Sequence, residues 1–343
     1  MARSKQRVLH SMIAILLIVS VLLMPAGVFG NDVDDEMTHE ESQQERTWRA
    51  NMLSERTLSR RQDGLDIRNP IPDMTSAFGD GYALINEQIS EAVTQIISEA
   101  SRVRARSVSF SFDNYVAGDV ISIVIYADVS ATPQRMLVRS VNFSLATGQI
   151  LSMNEAMGMD IIPLTERVLR ERILSDPARY MAAMYTSLEG QAFYMTSTEL
   201  VILFDGLRLS AQYRGIDSIR LIRRNIHTTT IARNDYRVHT NGYRLMFIPV
   251  GSVVRALGYD VGWNGEDDDR HVYIERNGHR LIQLWPNENQ YFIVGSQPRA
   301  LESAPRIYDD RTYVPITFFD HILPLTSYSI SSGGSITFLA YHE

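Results

Sequence analysis

The C-terminal part of this chain says the same thing twice. Residues 243–274 read YRLMFIPVGSVVRALGYDVGWNGEDDDRHVYI, and residues 311–338 read RTYVPITFFDHILPLTSYSISSGGSITF. Each copy runs through a polar lead, a short strand, a proline, a short apolar helix, a strand, a turn and a closing strand. Pro249 and Pro315 hold the same place in the two copies, as do the closing strands 272–274 and 336–338. A unit this short cannot bury its own apolar face, so the copies are expected to pack on each other. The result is a small β-rich module of a kind that binds or spaces, with no evident chemistry.

Composition narrows the rest. At 343 residues the chain suits two domains, and 45% hydrophobic residues are enough for ordinary cores. The net charge of -7 argues against a nucleic-acid partner. The absence of cysteine excludes disulfides, thiolate metal sites, a cysteine nucleophile and a lipoprotein anchor. Lys5 is the only lysine, which excludes a Schiff-base lysine from a mature form lacking the N-terminus.

Arg3, Lys5 and Arg7 precede an uncharged apolar run at 12–24 (MIAILLIVSVLLM), which Pro25 ends; Val28, Phe29 and Gly30 then lead into Asn31. This is the three-part grammar of a secretory signal peptide over residues 1–30. The rival is an uncleaved anchor through 12–29, although the strict run falls below the ~20 residues that span a bilayer. Either way the positive flank stays in the cytoplasm and the remainder is expected to be secreted or displayed at the cell surface.

Residues 31–72 read as an acidic, then mixed-charge linker, with a short helix predicted over 48–58. A first domain is expected over 73–226. It starts with an amphipathic helix at 82–100, where Ile85, Ile89, Ala92, Val93, Ile96 and Ile97 keep helical spacing. Strands follow at 107–112, 120–127 and 136–143. Helices come next, at 164–174 and from an Asp176-Pro177 start to Gly190. A hairpin is expected over 192–204. The arginine-rich stretch 220–237 reads as a connector, and a second domain over 240–343. Asn264-Gly265 and Asn277-Gly278 mark tight turns there. The expected fold class is α+β in two domains: an α+β sensor-like domain, then the β-rich module with its internal repeat and short helices.

Two resemblances accompany this reading. The helix at 82–100, residues 147–157 (TGQILSMNEAM) and residues 190–209 (GQAFYMTSTELVILFDGLRL) resemble an extracytoplasmic domain of unknown function from Gram-positive envelope proteins. That domain occurs in a lysozyme-sensing anti-sigma factor (RsiV-like) and beside a peptidoglycan deacetylase. The likeness covers 73–226; at 210–215 the chain keeps the family's tyrosine and glycine but not its proline. Residues 240–343 resemble the copper amine oxidase N-terminal-like domain, a stalk-like module of secreted proteins. The first copy carries its phrase as Ile248-Pro249-Val250, then Val253 to Tyr259 (VVRALGY), Val261-Gly262-Trp263 and Val272-Tyr273-Ile274. The second keeps Val314-Pro315-Ile316 but lacks the glycine and the tryptophan. The resemblance implies neither bound copper nor oxidase activity.

Candidate chemistry competes with plainer readings. His227, His239, His271, His279 and His321 crowd the C-terminal half near Asp267, Asp268 and Asp269, and His271 and His279 flank one hairpin where they could converge. No pair has zinc-motif spacing, so satisfied or exposed hairpin histidines are the plainer reading. No nucleophile elbow, H-E-x-x-H or phosphate loop occurs. Among aromatics, Trp263 is expected in the core, while Trp285 and Tyr291 are the candidates for stacking on a ligand. Arg220, Arg223, Arg224, Arg233 and Arg237 suit either anionic polymers or a solvated connector.

The expectation is thus a non-catalytic, exported envelope protein with no cofactor, no metal and no catalytic residue. Its partner would be peptidoglycan, another wall polymer, or a protein such as lysozyme. A membrane-tethered sensor and an envelope hydrolase or metal-binding protein remain alternatives. Only eleven residues precede Met12, which leaves no room for a cytoplasmic sigma-binding domain.

Overall fold

The structure is a computed structural model, and it describes residues 53–56, 60–62, 65–68, 71–74, 83–180, 187–206, 208–209, 213–241, 243–265 and 270–342. All of them lie in one compact unit, Thr47–Glu343. The signal peptide or anchor expected at 1–30, the acidic run at 31–41, residues 181–186 of an expected helix and Asp267 to Asp269 lie outside the described residues.

In chain order the elements are β1 (Leu53–Arg56), β2 (Arg60–Gln62), β3 (Leu65–Arg68), β4 (Ile71–Met74), α1 (Ala83–Arg102), β5 (Ser107–Ala117), β6 (Val120–Val129) and β7 (Arg135–Ser144). Next come α2 (Met153–Met157), α3 (Ile162–Ser175), α4 (Pro177–Tyr180), β8 (Phe193–Met195), β9 (Glu199–Phe204), β10 (Asp217–Ile222), β11 (Ile226–Ile231), β12 (Arg237–Asn241) and β13 (Tyr243–Pro249). The rest are α5 (Val250–Ala256), β14 (Asp260–Asn264), β15 (His271–Arg276), β16 (His279–Leu284), β17 (Gln290–Ile293), β18 (Arg299–Ala300), β19 (Arg306–Tyr308), β20 (Arg311–Pro315), α6 (Thr317–His321), β21 (Thr326–Ile330) and β22 (Ile336–Tyr341).

This order corrects the expected α+β class. Twenty-two strands stand against six α-helices among the described residues, and the strands form six sheets. The fold is β-rich throughout. Periodicity misled because strands hid in stretches dominated by charge. The predicted helix at 48–58 gives way to β1, and the charged stretch that follows supplies β2 to β4. There Leu65 and Ile67 are buried beneath a charged outer face, and β3 adds to β5 in parallel.

The first large sheet runs β2-β3-β5-β6-β7. Its core is what the apolar spacing predicts: α1 lays Ile85, Ile89, Val93 and Ile96 on Ile121, Ile123 and Ile125 of β6. The strand β6 is a near-continuous apolar run because both its faces are covered, with Val124 packing on Tyr194, Val201 and Leu203 of the β8–β9 hairpin. Gly118, at φ 60, turns β5 into β6.

The repeat folds as two copies of one unit. Copy one is β12-β13-α5-β14-β15 and copy two is β19-β20-α6-β21-β22, one strand longer at the front than the sequence phrase. The copies meet where β13 pairs antiparallel with β20, Phe247 opposite Pro315, Ile248 opposite Val314 and Pro249 opposite Tyr313. The flanking strands follow in the symmetric order β12-β13-β20-β19. One core joins Val250, Val253 and Val254 of α5 to Phe318 and Phe319 of α6, so the copies do bury each other's apolar faces. Asn277 and Gly278, at φ 52 and 76, make the predicted tight turn between β15 and β16.

The arginine-rich connector is not a solvated link. It contains β10, which pairs with β9, and β11, which pairs along its length with β22. The strand β22 is buried on both faces. Ile336, Phe338 and Ala340 enter the core of the repeat, whereas Leu339 and Tyr341 enter a different core with Leu164, Val168 and Leu169 of α3. On the same flank Arg167 of α3 donates to the backbone carbonyls of Phe319, Asp320 and Thr326, the last at 2.6 Å. Burial pulls the pKa of this guanidinium down, and Asp320 opposes that shift.

Two predictions follow from this shared strand. Phe338→Ala and Leu339→Ala each cost about 3 kcal/mol, although their side chains enter different cores. Calorimetry of either variant shows one transition at lower temperature; two separated transitions would show that the cores unfold independently. Arg167→Ala removes a charged donor from the carbonyls of Phe319, Asp320 and Thr326 and lowers the unfolding free energy by about 2 kcal/mol in a denaturant titration.

Candidate functional site

The edge strand β14 positions the site. Val261 packs against the repeat core, and Trp263, two residues on and on the same face, reaches the margin where that core ends. Trp263 is 45% exposed. This corrects its expected place in the core: the strand phrase sets its face, but the core ends before its ring is covered. Gly262, on the other face, opposes Tyr273, and a Cβ there would stand 2.2 Å from the tyrosine ring. The Arg280 guanidinium lies 4.3 Å from the centre of that ring, so the strand pair is clamped from its outer side.

Trp263 forms one lip of a groove of about 450 Å³ between α5, β14 and the start of β20. Val250 and Val272, both buried, form an apolar floor. Arg255 lies along it, donating to the carbonyls of Gly251 at 3.4 Å and Val261 at 3.3 Å. Arg311 and Asp310 stand on the far rim. Asp309 and Asp310, at φ 50 and 59, form the tight turn joining β19 to β20, and Arg237 pairs with Asp309 at 3.2 Å. An indole face above an apolar floor with polar rims is suited to one face of a sugar ring or a flat apolar group.

The sequence candidates fall elsewhere. Tyr291 is 7% exposed and belongs to the repeat core, and Trp285 is half-buried with its ring 5.3 Å from that of His271. His271 and His279 do not converge, since they begin successive strands and His279 sits at the turn while His271 opposes Asn264 at the other end. Among the described residues no three potential ligands gather around a point. Of the arginines, Arg220 pairs with Glu199 at 3.4 Å and Arg223 donates to the carbonyl of Ser197 at 3.2 Å. Arg233 lies over the Tyr236 ring.

Sequence reading missed a second polar centre. His342 packs its ring 4.7 Å from His227 and 4.8 Å from Tyr259, above Gly258 at φ 84. A Cβ on Gly258 would stand 2.9 Å from His342 Nε2. That nitrogen donates to the Leu257 carbonyl at 2.6 Å, which leaves Nδ1 as a buried acceptor with no partner. Tyr259 donates to the Pro324 carbonyl at 3.0 Å, and burial pushes its pKa up to about 12. His227 and His342 lie far apart in sequence and meet only through the pairing of β11 with β22.

Residues 240–328 match the family model described as copper amine oxidase N-terminal domain. The match includes Trp263 and most of both copies. It names a module set N-terminal to an oxidase, not a catalytic centre. Among curated proteins none matches the chain. A crystal structure of a DUF3298 family member from Bacteroides fragilis NCTC 9343 is similar at 10% identity and a TM-score of 0.29, over 50% of this chain and 90% of that one. Among the described residues no helix is long and apolar enough to cross a membrane.

Burial holds the pKa of His342 below its ordinary 6.5, and the nearby Arg276 and His227 act in the same direction while the Leu257 carbonyl opposes. The unfolded chain therefore takes up this proton first. Stability is complete above pH 6.5 and falls as pH drops through the interval between 6.5 and the lower folded value. His342→Gln flattens the unfolding free energy between neutral and mildly acidic pH, as read by denaturant titration. An unchanged slope would assign it to other groups.

Proposed function

We propose that this chain is an exported, non-catalytic envelope protein that binds a cell-wall polymer through the Trp263 groove. The observation that carries the reading is an exposed indole over an apolar floor, on a module that matches an accessory domain. The signal-peptide grammar of residues 1–30 supports export, and the RsiV-like resemblance of 73–226 supports an extracytoplasmic setting. The attachment of β22 to both cores makes the repeat a rigid neighbour of the preceding domain rather than a flexible appendage.

Co-sedimentation with insoluble peptidoglycan sacculi over a range of salt tests this. The protein is retained at moderate salt, and Trp263→Ala lowers its affinity about tenfold, or ~1.4 kcal/mol, without changing its melting temperature. Trp285→Ala serves as the comparison, because its ring packs on His271 and contributes little to retention. No retention, or retention indifferent to Trp263, would overturn the proposal and direct attention to a protein ligand such as lysozyme.

A further inference from the structure

The Trp263 groove carries a charge pattern that its apolar floor does not account for. Among the described residues its lining holds two arginines, Arg255 and Arg311, against one carboxylate, Asp310. All three are exposed. Neither arginine forms an ion pair. The nearby Arg237, by contrast, is paired with Asp309 at 3.2 Å. Two uncompensated guanidinium groups on one groove are a local exception on a chain whose net charge is -7.

Arg255 is held in place without being neutralised. Its Nη1 donates to the Gly251 carbonyl at 3.4 Å and its Nη2 to the Val261 carbonyl at 3.3 Å. Both acceptors are neutral, so the charge is undiminished, and the remaining N–H groups of the guanidinium stay open. The indole of Trp263 is unspent in the same way. A Cβ on Gly265 would stand 3.6 Å from its Nε1, so the glycine leaves that edge bare, and the N–H has no acceptor among the described residues. The groove thus combines an exposed ring face with open donors and an excess of positive charge.

We infer that the groove selects a sugar ring that carries an oxyanion, a carboxylate or a phosphate ester, over a neutral sugar. The assignment rests on the reading of the groove as a polymer site and names the charge class of that polymer. The indole takes the ring face, while the planar guanidinium forks match paired oxygens of a carboxylate or phosphate. A neutral sugar gains the stacking alone, and a bare anion gains the charge alone. Asp310 opposes the same anion from the far rim, so the selection comes from the excess of arginine over carboxylate.

Isothermal titration of the whole protein tests this with two matched pairs: a short galacturonate oligomer and its methyl ester, and N-acetylglucosamine 6-phosphate and its unphosphorylated parent. Inorganic phosphate serves as the anion without a ring. At least one charged sugar binds about tenfold more tightly than its neutral partner, and the pair that shows the preference tells carboxylate from phosphate. High salt removes most of the preference. Arg255→Gln and Arg311→Gln each weaken the charged sugar about threefold, the scale of an exposed ion pair, and leave the neutral one unchanged. Asp310→Asn strengthens the charged sugar about threefold, and asparagine tolerates the φ of 59° at that turn, so the gain reads charge rather than folding. Equal affinity within both pairs, with Trp263→Ala weakening all four sugars, would overturn this inference and leave the polymer reading standing. Inorganic phosphate bound as tightly as the charged sugars, indifference to all three charge variants, or no binding of any sugar would also overturn it; retention on sacculi judges the polymer reading separately.

Discussion

The strand β22 is the constraint on which the arrangement depends. It closes the repeat with Ile336, Phe338 and Ala340 and closes the core around α3 with Leu339 and Tyr341. A strand places successive side chains on opposite faces, so two adjacent residues can serve two cores only when both faces are covered. The pairing with β11 on one side and β21 on the other leaves no free edge. Arg167 acts on the same seam, donating to the carbonyls of Phe319 and Asp320 in α6 and of Thr326 in β21. The sequence expectation of two domains joined by a solvated link cannot convey this coupling.

The two copies share a scaffold and differ at the groove. In copy one, Gly262 and Trp263 oppose Tyr273 and Val272 of the closing strand; in copy two, Ser329 and Ile330 oppose Thr337 and Ile336. Gly262 leaves room for the Tyr273 ring, whereas Ser329 opposes the smaller Thr337. The position that presents an indole in copy one thus carries Ile330, itself 46% exposed, in copy two. The pseudo-symmetry preserves the pairing of β13 with β20, while the groove side is free to diverge because it contributes little to the shared core.

Legibility followed the strength of local patterning. The helix α1, the strands β5 to β7, the hairpin β8–β9 and the order of elements within each copy were readable from apolar spacing and turn residues. The strands β2 to β4 and β10 to β11 were not, because a short strand with one buried face shows only two or three apolar residues among many charges. Their stability comes from pairing with distant strands: β3 with β5, and β11 with β22. That difference turned an expected α+β fold into a β-rich one. The groove was half legible: the tryptophan phrase located β14, but whether its ring was buried depended on where the core around α5 ends.

The sequence by itself determined the repeat, the paired prolines, the first helix and the absence of thiol chemistry, since each is a matter of composition or near-neighbour spacing. Tertiary structure alone decided that Trp263 is exposed while Tyr291 is buried, and that His227 meets His342. It also decided that Glu99 and Asp205 converge on Arg139. Those outcomes depend on which strands pair across long stretches of chain. Local propensity contributes little to that choice; it is set by the burial of both faces of β22.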